Sequence, residues 1–121
     1  MKNYIQKILP LAISQAKKST MLHKHGAVVF KNKTILGAGY NQHCSNPDAK
    51  RKFSIHSEKS ALTGLRQDQI YGASILAIRV NSSGELTTAA PCKGCQKLMK
   101  RKGIVKCFYF DENKNLTCIY F

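Results

Sequence analysis

Two short segments, residues 56–58 (H-S-E) and residues 91–95 (P-C-K-G-C), contain the side chains of a metal site. His56, Cys92 and Cys95 are the borderline and soft ligands that zinc prefers in proteins. A catalytic zinc ion needs three protein ligands, an open fourth position for water, and a nearby group that handles protons. Glu58 supplies that group, because it lies two residues after His56 and does not share the direction of its side chain. The two segments together predict one catalytic Zn²⁺ ion.

The second segment opens a predicted helix over residues 92–102, which Gly103 ends. Because Cys92 and Cys95 are three residues apart, both sulfur atoms should lie on one face of that helix. The partial positive charge at a helix N-terminus lowers thiol pKa values and favours thiolate ligands. His56 also opens a predicted helix, so each segment brings its ligands to a helix N-terminus.

A C-x-x-C pair alone also fits a redox pair or one half of a structural zinc ribbon. A ribbon needs a second pair, but Cys107 and Cys118 occupy strand positions, where we expect core thiols on facing strands. A thioredoxin-like pair lies near the first helix of a βαβ unit, whereas this pair lies late in the chain. The catalytic zinc site is therefore favoured, and His43 with Cys44 stays open as a second metal site.

The remaining sequence predicts a single α/β domain over residues 1–121. Pro10 either kinks the first helix or marks its true start. The turn between the last two strands is too short for a crossover, so we expect those strands to be antiparallel. The result is a three-layer α/β/α domain with a five-stranded mixed sheet and an antiparallel C-terminal hairpin. The predicted helices are residues 3–18, 56–65 and 92–102, the strands are residues 26–30, 34–40, 73–80, 104–110 and 116–121, and residues 41–54 are a loop.

The charge of the chain is extreme for its length. Twenty Lys and Arg residues against six Asp and Glu residues give a formal net charge of +14. Such a field favours a polyanionic partner or a phosphorylated substrate, although solubility alone would also explain it. Lys50, Arg51 and Lys52 lie in the loop that leads to His56, and they are the candidate phosphate or nucleic-acid contacts.

The sequence contains no apolar run near the roughly 20 residues that span a membrane, and we expect no secretion signal. Five cysteines without such a signal favour reduced thiols in the cytoplasm over a disulfide framework. The basic N-terminus, with no acid before Asp48, also matches a mitochondrial presequence, which is the less favoured alternative.

The order H-x-E and then P-C-x-x-C resembles the cytidine/deoxycytidylate deaminase superfamily. The likeness runs from about residue 10 to 110 and includes residues 26–29 (G-A-V-V) and 39–41 (G-Y-N). It implies that His56, Cys92 and Cys95 bind zinc, and that Glu58 shuttles protons. It also implies Asn41 at the substrate sugar, Ala27 in the base pocket and the Ser57 backbone at the base edge. The complete set of expected substrate contacts is Asn41, Ala27, Ser57, Ala90, His25 and Tyr109, with core packing the alternative for Tyr109.

The resemblance implies a hydrolytic deaminase that converts cytosine to uracil. The charge narrowly favours cytosine in single-stranded nucleic acid, whereas the small size favours a free (deoxy)cytidine nucleotide. Adenosine in tRNA is a third candidate substrate. A nucleic-acid-binding domain without catalysis and a structural zinc protein are the alternatives of another class, and a homo-oligomer is possible. The antiparallel last strand is similar to the cytidine-deaminase and toxin-type branches, but a His at position 56 is similar to the nucleotide-acting branch.

Overall fold

The computed structural model describes residues 2–43 and 54–121. Its elements follow the predicted order, with additional short ones. The helices are α1 Lys2–Lys17, α2 Ser57–Leu62, α3 Gln67–Ile70 and α4 Lys93–Lys102. The strands are β1 Lys24–Lys31, β2 Thr34–Tyr40, β3 Gln42–His43, β4 Ser54–Ile55, β5 Ser74–Val80, β6 Leu86–Thr87, β7 Lys106–Phe110 and β8 Leu116–Tyr120.

One mixed sheet organises the described residues in the order β2-β1-β5-β7-β8, with β6 paired to the end of β5. Strand β1 is antiparallel to both β2 and β5, and β5 is parallel to β7. The C-terminal hairpin is antiparallel, as the short turn predicts. The α/β class is therefore confirmed. The sheet has six strands in these residues and not five, because the two-residue strand β6 also pairs with β5.

The side chains of successive strand residues alternate between two cores, one on each face of the sheet. Strand β1 sends Ala27 and Val29 to one face, and Val28 and Phe30 to the other. Helix α1 covers the second face through the buried residues Ile5, Ile8, Ala12 and Ala16. Helices α2 and α4 cover the first face through Ala61, Leu62, Cys95 and Met99. The three layers are therefore α1, the sheet, and α2 with α4.

Two glycines allow the helices to approach the sheet closely. A Cβ atom on Gly39 of β2 would lie 2.5 Å from the Ala61 backbone nitrogen of α2. A Cβ atom on Gly26 of β1 would clash with the Ala12 carbonyl of α1. Both helices thus lie against strand backbone, and the approach of α2 positions its first turn, which includes Glu58, beside the sheet.

Helix α1 confirms the helix predicted over residues 3–18, and it includes Pro10, so the proline does not mark its start. Other sequence-based boundaries were wrong. The helix predicted to reach residue 65 ends at Leu62, since Gly64 adopts a left-handed φ of 85°, and the separate helix α3 follows. Within the predicted loop 41–54, residues 42–43 and 54–55 pair as short antiparallel strands.

Cys107 and Cys118 lie on neighbouring strands, but they are not opposite each other. Cys107 pairs with Ile119 and belongs to the core under α2 and α4, whereas Cys118 pairs with Phe108 and packs towards α1. The two thiols therefore lie on paired strands, as expected, but they occupy opposite faces of the sheet.

Candidate metal centre and active site

The N-terminus of α4 presents both cysteines to one point. Cys92 is the N-cap residue, with an extended backbone at φ −69° and ψ 163°. Its sulfur accepts a hydrogen bond of 3.4 Å from the Cys95 backbone N–H, which folds the two thiols together. Cys95 is buried and Cys92 is exposed, so the pair lies at the boundary between the protein interior and the surface.

His56 occupies the matching position at the start of α2. It is the N-cap residue, and its carbonyl accepts a hydrogen bond of 2.9 Å from the Ser60 N–H. Its Nδ1 atom lies 3.6 Å from the Cys92 sulfur and 3.2 Å from the Cys95 sulfur. The three ligand atoms all lie within 4.8 Å of one another.

These distances fit one zinc ion. Ligands at about 2.3 Å for sulfur and about 2.0 Å for nitrogen lie about 3.5 Å apart in a tetrahedron. The two His56–sulfur distances bracket that value. A nitrogen and two sulfurs are also a donor set that zinc accepts. Among the described residues, His56, Cys92 and Cys95 are the group of ligands that fits one zinc ion, and three such ligands leave a fourth position open.

The charge of Cys95 depends on the metal. Burial raises the pKa of the Cys95 thiol well above its usual value, and the negative charge of Glu58 raises it further. Because zinc binds the thiolate, the cation offsets both effects. Metal binding and ionisation of this buried thiol are therefore linked.

Glu58 lies beside the ligands in the first turn of α2, outside the group of ligand atoms. Its side chain is only 5% exposed, and Ser57, 1% exposed, donates a hydrogen bond of 2.7 Å to Glu58 Oε1. A buried carboxylate needs such a donor. The bond fixes one oxygen of the Glu58 carboxylate beside the ligand group.

A cavity of about 440 Å³ opens onto these groups. It is large enough for a small organic ring with its substituents. Two of the three predicted zinc ligands, His56 and Cys92, and the predicted proton carrier Glu58 therefore line one cavity. Its described lining is Met21, Leu22, His23, His25, Asn41, His56, Ser57, Glu58, Ala89, Ala90, Pro91 and Cys92.

The substrate contacts expected from the sequence divide into three groups. Asn41, His25, Ser57 and Ala90 line the cavity. Ala27 is fully buried in the core between the sheet and α2, and the described lining does not include it. Tyr109 is half-buried on β7 opposite Thr117 and is also outside that lining. The position of Tyr109 agrees with the hairpin-packing alternative.

The basic cluster Lys50, Arg51 and Lys52 lies outside the described residues, and so does Cys44 of the suggested second metal site. The backbone of His43 is described as the end of β3. The roles suggested for these residues stay predictions.

Asn41 and His25 line the cavity, and hydrogen bonds of the Asn41 side chain hold the start of β1 and the loop before it. Asn41 is only 6% exposed, and its Oδ1 accepts a hydrogen bond of 2.8 Å from the His25 N–H. Its Nδ2 donates a bond of 2.6 Å to the His23 carbonyl. Burial lowers the pKa of His25, and the negative charge of Glu58 partly opposes that shift. His25 is therefore a neutral imidazole near neutral pH.

The sequence did not identify the cavity wall formed by Met21, Leu22 and Ala89. It also gave no role to Arg79, whose guanidinium lies 2.6 Å from His23 Nδ1. Strand alternation could have found Arg79, because it lies opposite His25 and on the same face of β5 as Ala77. No comparable periodic signal exists for the loop residues.

The sequence matches a protein-family model, and the fold is similar to solved structures. The family model of the cytidine and deoxycytidylate deaminase zinc-binding region matches residues 2–111. The cytidine deaminase of Burkholderia pseudomallei is similar in structure, with a TM-score of 0.66 at 15% identity, covering 95% of this chain and 91% of that chain. The dCMP deaminase of cyanophage S-TIM5 in its apo form has a TM-score of 0.53 at 22% identity, covering 87% and 83%.

The same cyanophage enzyme has been solved in complex with dCMP and dUMP, and that structure has a TM-score of 0.55 at 20% identity, covering 91% of this chain and 79% of that chain. A comparison with curated proteins found no match. At these identities, the similar structures support the fold. No described helix is both long enough and apolar enough to cross a membrane.

Proposed function

Because the chain belongs to the cytidine and deoxycytidylate deaminase family, we propose that it converts cytosine to uracil and that its substrate is single-stranded nucleic acid. The observation that supports this reaction best is the ligand group of His56, Cys92 and Cys95 at the same cavity as Glu58. Three ligands and an adjacent carboxylate are the minimum set for hydrolysis at a ring carbon.

Zinc, when bound, lowers the pKa of a coordinated water towards about 7 and polarises it for attack. Glu58 accepts a proton from the attacking water and returns protons to the ring nitrogen and the leaving amine. The water oxygen forms a bond to the ring carbon bearing the amine, and the exocyclic C–N bond breaks. One cytosine and one water thus give one uracil and one ammonia.

The protein residues around Glu58 prepare it for this exchange. Ser57 donates a hydrogen bond to one carboxylate oxygen and so limits the rotation of the Glu58 side chain. Asn41 fixes the loop that forms the opposite wall through its bonds to His23 and His25. Burial of Glu58 excludes bulk water from the proton path.

The net charge of +14 favours a polynucleotide over a lone monophosphate. Each neutralised phosphate of a bound strand releases counterions and adds affinity, and a monomer offers few such contacts. Because these contacts are electrostatic, we expect binding and deamination of a polynucleotide to depend steeply on salt.

A free cytosine nucleotide is the second candidate substrate. The observation that favours it is the structural likeness to the cyanophage dCMP deaminase, which was solved with dCMP and dUMP. The cavity of about 440 Å³ is also of a suitable size for one nucleotide unit.

A parallel assay separates the two candidates. Zinc-loaded protein is given dCMP, cytidine, single-stranded DNA or RNA with one cytosine, and tRNA, each at low and high salt, and ammonia and uracil are measured. The proposal expects the polynucleotides to react fastest and to lose rate steeply as salt rises. Fast, salt-insensitive deamination of dCMP alone would assign the chain to the second candidate. No ammonia from any substrate would contradict the deaminase proposal itself.

A further inference from the structure

A second groove lies beside α4, on the side that faces the C-terminal hairpin. Its volume is about 340 Å³, and we name it the α4 groove. It is lined by Lys93, Gln96, Lys97 and Lys100 of α4 and by residues 119–121 at the end of the chain. Neither the zinc site nor the catalytic cavity uses these side chains.

The lysines of the α4 groove form a row that begins at the active site. Lys93, Lys97 and Lys100 are spaced four and three residues apart, which puts them on one helix face. With a rise of 1.5 Å per residue, the row spans about 10 Å. Lys93 directly follows Cys92, which lines the catalytic cavity. A ligand in the groove could therefore continue into that cavity.

The row is available to an anion. All three lysines are exposed, and none forms an ion pair within residues 2–43 and 54–121. The described lining of the groove contains no acidic side chain. A second copy of this chain would bring like charges together at this face, so the charge argues for a polyanionic occupant.

The opposite wall of the α4 groove is aromatic. Phe121 is half-buried and lies on the face of the hairpin that packs towards α4. Tyr120 alternates with Phe121 and belongs to the opposite face of the sheet, which α1 covers. Basic side chains that follow a strand backbone, together with aromatic rings on which bases stack, are the two components of single-strand binding sites.

We propose that the α4 groove binds the part of a single-stranded nucleic acid that flanks the target cytosine. Lys93, Lys97 and Lys100 contact successive phosphates, and Phe121 stacks on a base. This inference rests on the proposed deaminase function for its purpose, but the binding itself can be measured without any reaction.

The test measures the binding of labelled oligo-dT and oligo-U, which contain no cytosine, to zinc-loaded protein over a range of salt concentrations. The groove variants are the double variant Lys97→Gln/Lys100→Gln and the single variant Phe121→Ala. The matched control is Lys2→Gln/Lys7→Gln, which removes the same charge from exposed positions on α1. Zinc content and melting temperature confirm that each variant is folded.

We expect the double groove variant to bind about tenfold or more weakly, with the slope of log affinity against log salt reduced by about 1.4. Phe121→Ala should lose about 5- to 150-fold in oligonucleotide affinity. The control should change little. The oligo-dT and oligo-U arms show whether DNA or RNA is preferred.

Equal losses in the groove variants and the control would reduce the effect to net charge and overturn the proposal, as would no binding by the wild type. A shift in oligomeric state in the groove variants, with oligonucleotide affinity unchanged, would assign the groove to a second copy and overturn it also. Intact oligonucleotide binding without ammonia release from any substrate would contradict the deaminase function and leave the groove standing. Deamination of dCMP without oligonucleotide binding would do the reverse.

Discussion

The Asn41 side chain accepts a hydrogen bond of 2.8 Å from the His25 backbone N–H and donates one of 2.6 Å to the His23 carbonyl. Asn41 directly follows β2, so its buried amide links the end of β2 to the backbone at the start of β1. It therefore holds in place the loop whose residues Met21, Leu22 and His23 line the catalytic cavity. Asn41 positions a wall of the cavity as well as lining it.

Replacing Asn41 with Ala should lower the free energy of unfolding by about 1–3 kcal/mol, because two backbone groups lose their partner. The catalytic efficiency should fall as well, since the loop is no longer fixed. Urea unfolding and steady-state kinetics measure the two effects. Gln6→Ala on the exposed face of α1 is the control, and it should change stability by less than about 0.5 kcal/mol. Equal effects in both variants would contradict the positioning role.

His25 gives the protein a pH-dependent stability. Burial lowers the pKa of His25 below the value of about 6.5 for an unfolded histidine. Between the folded and unfolded pKa values, the unfolded state binds more protons, so stability rises with pH across that window. The full stability is present above about pH 6.5 and decreases as the pH falls. Unfolding free energies from pH 7 to pH 5 should decrease more steeply for the wild type than for His25→Gln, and parallel curves would contradict this assignment.

Gly39→Ala should destabilise the protein, because the new methyl group would lie 2.5 Å from the Ala61 nitrogen and 2.6 Å from Ser60 Oγ. Overpacking of this kind typically costs about 1–3 kcal/mol. Gly94→Ala provides a contrast on α4, where the nearest atom is 3.9 Å away. There the same substitution should stabilise the helix by up to about 1 kcal/mol. Chemical denaturation measures both signs, and equal changes would show that α2 does not pack closely against β2.

Zinc binding should depend on Cys95 and not on Cys118. Cys95→Ser removes one of three ligands. Loss of a residue that only hydrogen-bonds a metal ligand weakens metal affinity by up to about 100-fold, so loss of a ligand should weaken zinc affinity by more than that. Cys118→Ser changes a thiol on the opposite face of the sheet and should keep one equivalent of zinc. Metal analysis and a competition titration with a chelator measure the difference. Zinc retained by Cys95→Ser at wild-type affinity would contradict the ligand assignment.

The sequence predicted that His56, Cys92 and Cys95 come together, because each position is local to a helix start. Helix geometry alone determines which of these side chains share a direction. The same local rules predicted the antiparallel C-terminal hairpin from a turn too short for a crossover. The parts of the fold that depend on short-range spacing could therefore be predicted from the sequence.

Other features depend on distant contacts and could not be predicted in that way. Leu22 is 90% exposed and yet lines the cavity, and no periodic pattern marks it. Ala27 has the expected strand position, but neighbouring layers bury it in the core instead of the cavity lining. The hydrogen bonds of Asn41 join residues 16 and 18 positions away, so only the folded chain reveals them. Substrate contacts thus require the tertiary structure.

The role of Glu58 as proton carrier can be tested with Glu58→Gln, which keeps the size of the side chain and removes its capacity to carry protons. The measurement is uracil formation from dCMP and from a single-cytosine oligonucleotide, with zinc content determined on the same samples. We expect one equivalent of zinc in both proteins and a rate reduced by about 10²- to 10⁴-fold in the variant. Uracil formation at the wild-type rate by zinc-loaded Glu58→Gln would contradict that role.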